Sequence, residues 1–290
     1  MDLKQLGVWY FFDGMSAAAS ATAAQRIEAL GYSTLWIPET AGRSPLVFAS
    51  WLLANTQTLN VATGIANIYH REPGVAVGAQ KGLAEQSGNR FLLGLGVSHK
   101  PFIEGVRGLA YGPPVPTMAQ YLDKMAQAPY QGVPPSEDPP TVIAALGPKM
   151  LALAKQKCAG AHPYFVSPEH TALARDILGP DKILCVEQKV ILESNSRIAR
   201  DVARPAAKLY MTLPNYRNNW LRMGMTPDDI DGAGSDRFID ATFAWGSLQQ
   251  IEARIQEHVA AGADHVCIQP INPNGQFGDL DWDALEALAP

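Results

Sequence analysis

Long apolar runs, paired cysteines and clustered basic residues are all missing from this chain, and each absence removes a class of protein. No apolar stretch approaches the roughly 18–20 residues of a membrane span. Three cysteines, Cys158, Cys185 and Cys267, lie far apart with no CxxC or Cys/His ligand spacing. Neither a disulfide framework nor a metal site is therefore expected, and each cysteine reads as a small packed apolar residue. The 23 Lys and Arg are scattered among 28 Asp and Glu, for a net charge of −5. That balance argues against a nucleic-acid footprint but not against a small anion, which needs only a few local donors. Near the amino terminus, AAASATAA continues into a helical pattern instead of a cleavage site, so the chain reads as a cytoplasmic protein.

What is present is an alternation. The 290 residues are 47% hydrophobic and 18% charged, enough for one large core and one domain spanning 1–290. Short β-branched and apolar runs alternate with helical patterns from end to end, as parallel strands joined by crossover helices require. The expected strands are Gly7–Phe11, Thr34–Ile37, Asn60–Ile65, Phe91–Leu95, Thr141–Ala144, Gly160–His162, Ile183–Leu192 and His265–Ile271, which predict a closed (β/α)8 TIM barrel. Helix punctuation agrees. Gly31 follows the first helix, Ser167 precedes a first-turn Pro168, and Ser247 and Gln250 have capping-box spacing. Two stretches exceed normal connection length, Gly96 to about Pro116 and Gln127–Pro140, and residues 194–246, containing PNYRNNW, are expected to form an inserted helical elaboration.

Several strand ends carry candidate chemistry. VATGIANIYHREP (61–73) is a buried strand running into Gly64-Ile65, where glycine admits a backbone shape closed to other residues. Gly94-Leu95-Gly96-Val97-Ser98-His99 lacks the third glycine of a dinucleotide fingerprint, and Pro101 interrupts any immediate helix, so a Rossmann reading is rejected. In a barrel these residues close a strand at the carboxyl face, where His99 could take or give a proton; the plainer reading is a solvent-facing loop histidine. Glu39, after the apolar run Leu35–Pro38, is a pocket carboxylate or a cap for the helix near Pro45. Ala145-Leu146-Gly147-Pro148-Lys149 combines small residues, a helix start and a lysine, a set that suits an anion and is also ordinary helix grammar. His162 is either a pocket residue or a satisfied core histidine. Arg71 either pairs with an anionic ligand or is a solvated loop cation. Trp9 and Tyr10 are adjacent on a strand, so only one of them can point inward.

VATGIANIYHREP, GVSH, ALGPKM, GAHPYFVSPEH, PNYRN and GADHVCIQ together resemble the deazaflavin-dependent branch of the luciferase-like monooxygenase superfamily over nearly the whole length. The resemblance implies a luciferase-like TIM barrel, with a cis peptide between Gly64 and Ile65. It implies coenzyme F420 as hydride carrier, with a ring site drawing on Gly64, Ile65, Ala66, Asn67, Thr40, Val97, Ser98 and His162. The phosphate of the cofactor tail falls to Ala145, Leu146, Gly147 and Lys149, and proton chemistry to His99 and Glu39. Several relatives place histidine where Thr40 stands, so their proton-donor role does not transfer to that position. The expected function is hydride transfer between F420 and an organic small-molecule substrate in a homodimer. The alternatives are an FMN-dependent monooxygenase and a non-catalytic deazaflavin-binding protein.

Overall fold

The computed structural model describes residues 3–276 and 279–290. Ten strands are present: β1 (Leu6–Trp9), β2 (Thr34–Ile37), β3 (Asn60–Thr63), β4 (Ala66–Asn67), β5 (Phe91–Gly96), β6 (Thr141–Ile143), β7 (Gly160–Ala161), β8 (Ile183–Ile191), β9 (Phe243–Trp245) and β10 (His265–Pro270). The ladder β1-β2-β3-β5-β6-β7-β8 closes because β10 pairs with both β8 and β1, all in parallel. The result is a (β/α)8 barrel built from the eight expected strands. Among the described residues no helix is long and apolar enough to cross a membrane.

Period-two alternation sorts the strand residues into two cores. Val8, Leu35, Ile37, Val61, Phe91 and Leu93 pack outward against the helices. Trp9, Trp36, Ala62, Leu92, Cys185 and Cys267 fill the barrel interior. Trp9, the last residue of β1, therefore points in, and Tyr10, just beyond it, points out. All three cysteines are buried and free.

Two short strands depart from the expected pattern. Asn60–Ile65 is not one strand: β3 stops at Thr63 and pairing resumes at β4. On β3, Val61 faces Phe91; on β4, Ala66 faces Leu95, so this side holds one residue more than its neighbour, the mark of a bulge. The Gly64–Ile65 peptide inside it is cis. Thr63 spans the interruption, its hydroxyl donating to Gly94 O (2.7 Å) and accepting from Gly94 N (2.9 Å). The second addition, β9, pairs with Lys189–Ile191 beyond the end of β7, on the edge of β8 that β10 leaves free.

Punctuation follows the expectation with one exception. Gly31 adopts φ 92° after the first helix, and Ser247 with Gln250 forms a reciprocal capping box. Ser167 occupies the N-cap of the Pro168–Leu178 helix, but its hydroxyl makes no cap bond and instead serves Glu169. The 194–246 region contains helices at Ser196–Met211, Pro214–Arg222, Pro227–Ile230 and Asp236–Thr242, followed by β9. Arg200 clamps two of them, donating to Asp236 (2.8 Å) and Asp240 (2.6 Å).

Four fully buried histidines, His162, His170, His258 and His265, tie distant elements together. His258 Nε2 donates to Gln188 Oε1 (2.9 Å) while its Nδ1 accepts from Thr171 (2.8 Å). His265 Nδ1 donates to Lys4 O (2.9 Å) and its Nε2 accepts from the Trp36 indole (3.0 Å). Burial depresses His258 to about 3 and both His265 and His162 to about 4. Each folded-state value lies below the unfolded 6.5, so the unfolded chain binds more protons and stability falls with acid. Urea unfolding is expected to show stability nearly flat above pH 7 and declining from pH 6.5 toward 4, by up to about 1.4 kcal/mol per histidine per pH unit. A stability independent of pH across that window would refute the neutral-histidine description.

Candidate active site

The bulge between β3 and β4 is held by a buried charge network. Glu39, just beyond β2, accepts from Asn67 N (2.6 Å), Arg71 (2.7 Å) and His70 Nδ1 (2.8 Å), so both carboxylate oxygens are engaged. Arg71 also donates to Asn67 O (2.8 Å), and Glu39 N to Ile65 O (3.1 Å). The Glu39 and Arg71 side chains are 6% and 8% exposed, which makes their pair an internal fixture. Arg71 is thus neither a solvated cation nor free for a ligand, and Glu39 does not cap the Pro45–Ala54 helix. Thr40 gives its hydroxyl to Asp13.

Val97, Ser98 and His99 follow β5 half-buried at the carboxyl face, with Ser98 at φ 54°. His99 is not a solvent-facing loop residue. Its carbonyl accepts from Phe102 N and Ile103 N (both 3.0 Å), opening a π-helical turn over Pro101–Val106. Its ring lies 5.8 Å from that of Tyr216 and is hydrogen-bonded by Asn215. Burial lowers the His99 pKa, and the Asn215 bond opposes that shift. His99 is therefore neutral near pH 7 and able to accept a proton.

His162 sits inside the barrel, 1% exposed and stacked on Trp36 at 4.2 Å. Its Nδ1 donates to Cys185 O (3.0 Å), which leaves Nε2 an acceptor without a partner. A side chain at Gly64 would come within 3.1 Å of that nitrogen and 2.6 Å of the Trp9 indole, whose N–H donates to Gly64 O (3.1 Å). Glycine at 64 is what lets both rings reach the bulge. Across the mouth, Ala145 is buried, Leu146 and Gly147 are half-buried, and Lys149 is exposed at the start of the Pro148–Lys157 helix. His170 donates to Leu146 O (2.8 Å) and fixes this turn.

A buried charged group on β8 belongs to no motif singled out in the sequence. Glu187 and Lys189, two apart on β8 and so on one face, form a fully buried pair at 3.2 Å. The ammonium lies 3.9 Å from the ring centres of both Tyr164 and Phe165 and 5.1 Å from Tyr210. Burial pushes the carboxyl up and the ammonium down in pKa, while their mutual attraction opposes both shifts. Glu187 also accepts from Phe165 N (2.8 Å), and Trp220 donates to Phe165 O (3.3 Å), pinning Phe165 at φ 58°. Two open clefts are lined by other residues. One is lined by Tyr10, Phe11, Gln269–Asn272, Gln276 and Asp279, another by Phe12, Asp13, Ile37 and Arg43. Neither reaches His99 or Gly64.

The chain matches known proteins in sequence and in fold. The family model for luciferase-like monooxygenases matches residues 5–265. The chain belongs to that family. A protein of Mycobacterium tuberculosis named as a candidate coenzyme F420-dependent oxidoreductase is 25% identical over 249 residues, 71% of each chain. The F420-dependent tetrahydromethanopterin reductase of Methanopyrus kandleri superposes with a TM-score of 0.77 at 16% identity, covering 99% of this chain and 97% of that one. The FMN complex of the oxygenating constituent of 3,6-diketocamphane monooxygenase, from Pseudomonas putida, gives 0.70 at 14% identity, covering 99% and 97%. Structural likeness at these identities shows the shared luciferase-like fold.

Within that fold the internal pair gives a direct test. Lys189→Met alone strands a buried carboxylate and is expected to cost about 3–5 kcal/mol in chemical denaturation. Lys189→Met combined with Glu187→Gln should recover most of that loss, because the uncharged amide keeps an oxygen that can accept from Phe165 N. Equal stability of the single and double variants would rule out an essential pairing.

Proposed function

We propose that this protein is a coenzyme F420-dependent oxidoreductase that exchanges hydride between the deazaflavin and a small organic substrate. The 249-residue match to a candidate F420-dependent oxidoreductase carries this reading. The site is compatible with such a ring: His162 Nε2 is a buried acceptor without a partner beside Gly64, and the helix start at Gly147 offers backbone donors to an anionic tail. In this reading Gly64, Ile65, Ala66, Asn67, Thr40, Val97, Ser98 and His162 surround the ring, and Ala145, Leu146, Gly147 and Lys149 receive the tail. When bound, the deazaflavin supplies two-electron hydride chemistry.

The chain's own residues do the rest. His99, neutral near pH 7 and oriented by Asn215, takes a proton from the substrate as it is oxidised and returns it in the reverse direction. Glu39 acts indirectly, holding Asn67 and Arg71 so that the bulge keeps its shape. The exposed Val47 and Trp51, one helical turn apart on Pro45–Ala54, with Val75 on the neighbouring helix, support a homodimer across that face.

A second reading, an FMN-dependent monooxygenase, is favoured by the FMN complex among the structural neighbours. A carrier without turnover is the third, favoured by Thr40, whose hydroxyl is committed to Asp13.

Parallel calorimetric titrations with F420 and FMN decide the cofactor, and selective F420 binding is expected. Selective FMN binding with oxygen consumption would move the protein to the monooxygenases, and tight F420 binding without turnover on a broad substrate panel would make it a carrier. On a substrate found this way, His99→Ala is expected to lower turnover by roughly 10²–10⁴-fold while F420 affinity is kept; full turnover would remove His99 from the proton step.

A further inference from the structure

The first turn of the Pro214–Arg222 helix carries two neighbouring residues that both meet His99. Asn215 hydrogen-bonds the His99 ring, and Tyr216 lies against it, with ring centres 5.8 Å apart at 44°. The Asn215 bond favours the charged form of His99, so the amide accepts a ring N–H, and the other nitrogen of the neutral ring keeps a lone pair. Tyr216 also touches Tyr210 (5.1 Å) and Tyr164 (6.3 Å). Tyr164 in turn rests on Trp9 (4.9 Å), whose N–H holds Gly64 O. A chain of ring contacts through Tyr216 thus links the exit of β5 to the wall of the bulge.

The three tyrosines of this cluster differ in what their hydroxyls do. Tyr164 donates to Gln269 Oε1 (2.7 Å) and is bonded to Tyr210 (2.9 Å). The Tyr216 hydroxyl has no hydrogen-bond partner among the described residues, although the residue is only 7% exposed. The phenol oxygen of Tyr10 is sealed from solvent without a partner; that of Tyr216 is not sealed, so the little surface Tyr216 keeps includes its hydroxyl. Packing does not require that oxygen, because phenylalanine would make the same ring contacts. Burial, with Tyr210 and Glu187 nearby, raises the Tyr216 pKa well above its ordinary value, so the group is a neutral donor near pH 7.

We propose that Tyr216 is a catalytic residue, its hydroxyl donating a hydrogen bond to the substrate oxygen that exchanges a proton with His99. The proposal rests on the hydride-transfer reading and adds a substrate class: an alcohol in one direction, a ketone or aldehyde in the other. A neutral base beside a neutral phenol suits that pair of compounds. In oxidation the carbinol C–H bond breaks, and its hydrogen leaves with both electrons as hydride to the deazaflavin. The O–H proton passes to the open nitrogen of His99, and the C–O bond becomes C=O. Tyr216 keeps its own proton throughout, and its hydrogen bond strengthens as negative charge builds on the oxygen, the condition for accelerating the step. One helical turn thereby serves both partners, Asn215 setting the tautomer of the base and Tyr216 supplying the donor.

Tyr216→Phe removes one oxygen and keeps the ring. The probe is trifluoroethanol, an alcohol whose fluorines resist its oxidation, followed through the His99 ring-nitrogen resonances of F420-loaded protein. A saturable shift is expected in wild type, with affinity roughly three- to tenfold weaker in Tyr216→Phe and F420 affinity unchanged. Turnover of an alcohol found by screening is expected to fall roughly 10²-fold. Urea stability should match wild type, because no internal hydrogen bond is lost, whereas Tyr164→Phe, which loses two, should be less stable. Equal probe affinity in wild type and Tyr216→Phe, no saturable shift in wild type, or a parallel loss of F420 affinity and stability would overturn the proposal. Failure of wild type to bind F420 in the loading titration would instead sink the deazaflavin reading. The same comparison on unloaded protein would then decide whether Tyr216 holds the oxygen.

Discussion

The docking of the inserted helices onto the barrel depends on one ammonium group with no access to water. Lys189 is 1% exposed, and Glu187 and the faces of three aromatic rings receive its charge. Removing that charge from water costs several kcal/mol, which the low-dielectric attraction to Glu187 and the rings must offset. The rings therefore cannot be placed freely. Tyr164 and Phe165 come from the loop after β7 and Tyr210 from the Ser196–Met211 helix, so satisfying Lys189 docks the inserted helices onto the barrel. Tyr164 reinforces the join, donating to Gln269 Oε1 (2.7 Å) and sharing a hydrogen bond with Tyr210 (2.9 Å). With Phe165 pinned by Glu187 and Trp220, the register of the Pro214–Arg222 helix follows, and with it the positions of Asn215, Asn219 and Arg222.

A second buried charge pair plays a comparable part on the other side of the mouth. An extra residue in a strand leaves amides and carbonyls out of the ladder, and buried groups of that kind need partners. Glu39 and Arg71 provide them by bonding the amide and the carbonyl of Asn67 from opposite directions. The first network sits on β8 and the second in the segments that follow β2 and β4, and they use opposite logic. Glu39 stabilises an irregular backbone, whereas Glu187 and Lys189 stabilise the packing of one element on another.

The barrel was legible because burial on both faces forces strand residues into short apolar runs, and eight of them stand out from the helices between. The Gly64-Ile65 exit was legible by resemblance, since a lone glycine at a strand end has many readings. What escaped was of two kinds. β9 is three residues, Phe-Ala-Trp, directly after a helix, too short for alternation to show and dependent on the edge of β8 left bare beyond β7. The roles of Arg71, Glu187 and Lys189 escaped because a charge in a strand or loop carries no mark of its partner until the chain is folded. A spacing signal did exist for Glu187 and Lys189: two opposite charges at i and i+2 within the apolar run ILCVEQKVI must share a face. For PNYRNNW the signal was the i, i+4, i+7 placement of Asn215, Asn219 and Arg222 inside one helix.

An acidic protein can still leave cations without carboxylate partners at particular spots, because pairing is decided locally. Net charge sets the distant field, but within a Debye length the local arrangement decides. Most arginines of the inserted region are neutralised, Arg200 and Arg204 by Asp236, Arg217 by Asp231 and Arg237 by Asp229. Arg222 comes from the same acid-rich region yet bonds an amide oxygen, which leaves its charge uncompensated beside Gly147. Lys149 opens the facing helix, likewise without a carboxylate partner among the described residues. Charge is thus paired unevenly across the insertion: among the described residues Arg197, Lys208 and Arg222 stand outside the ion pairs that hold the other arginines.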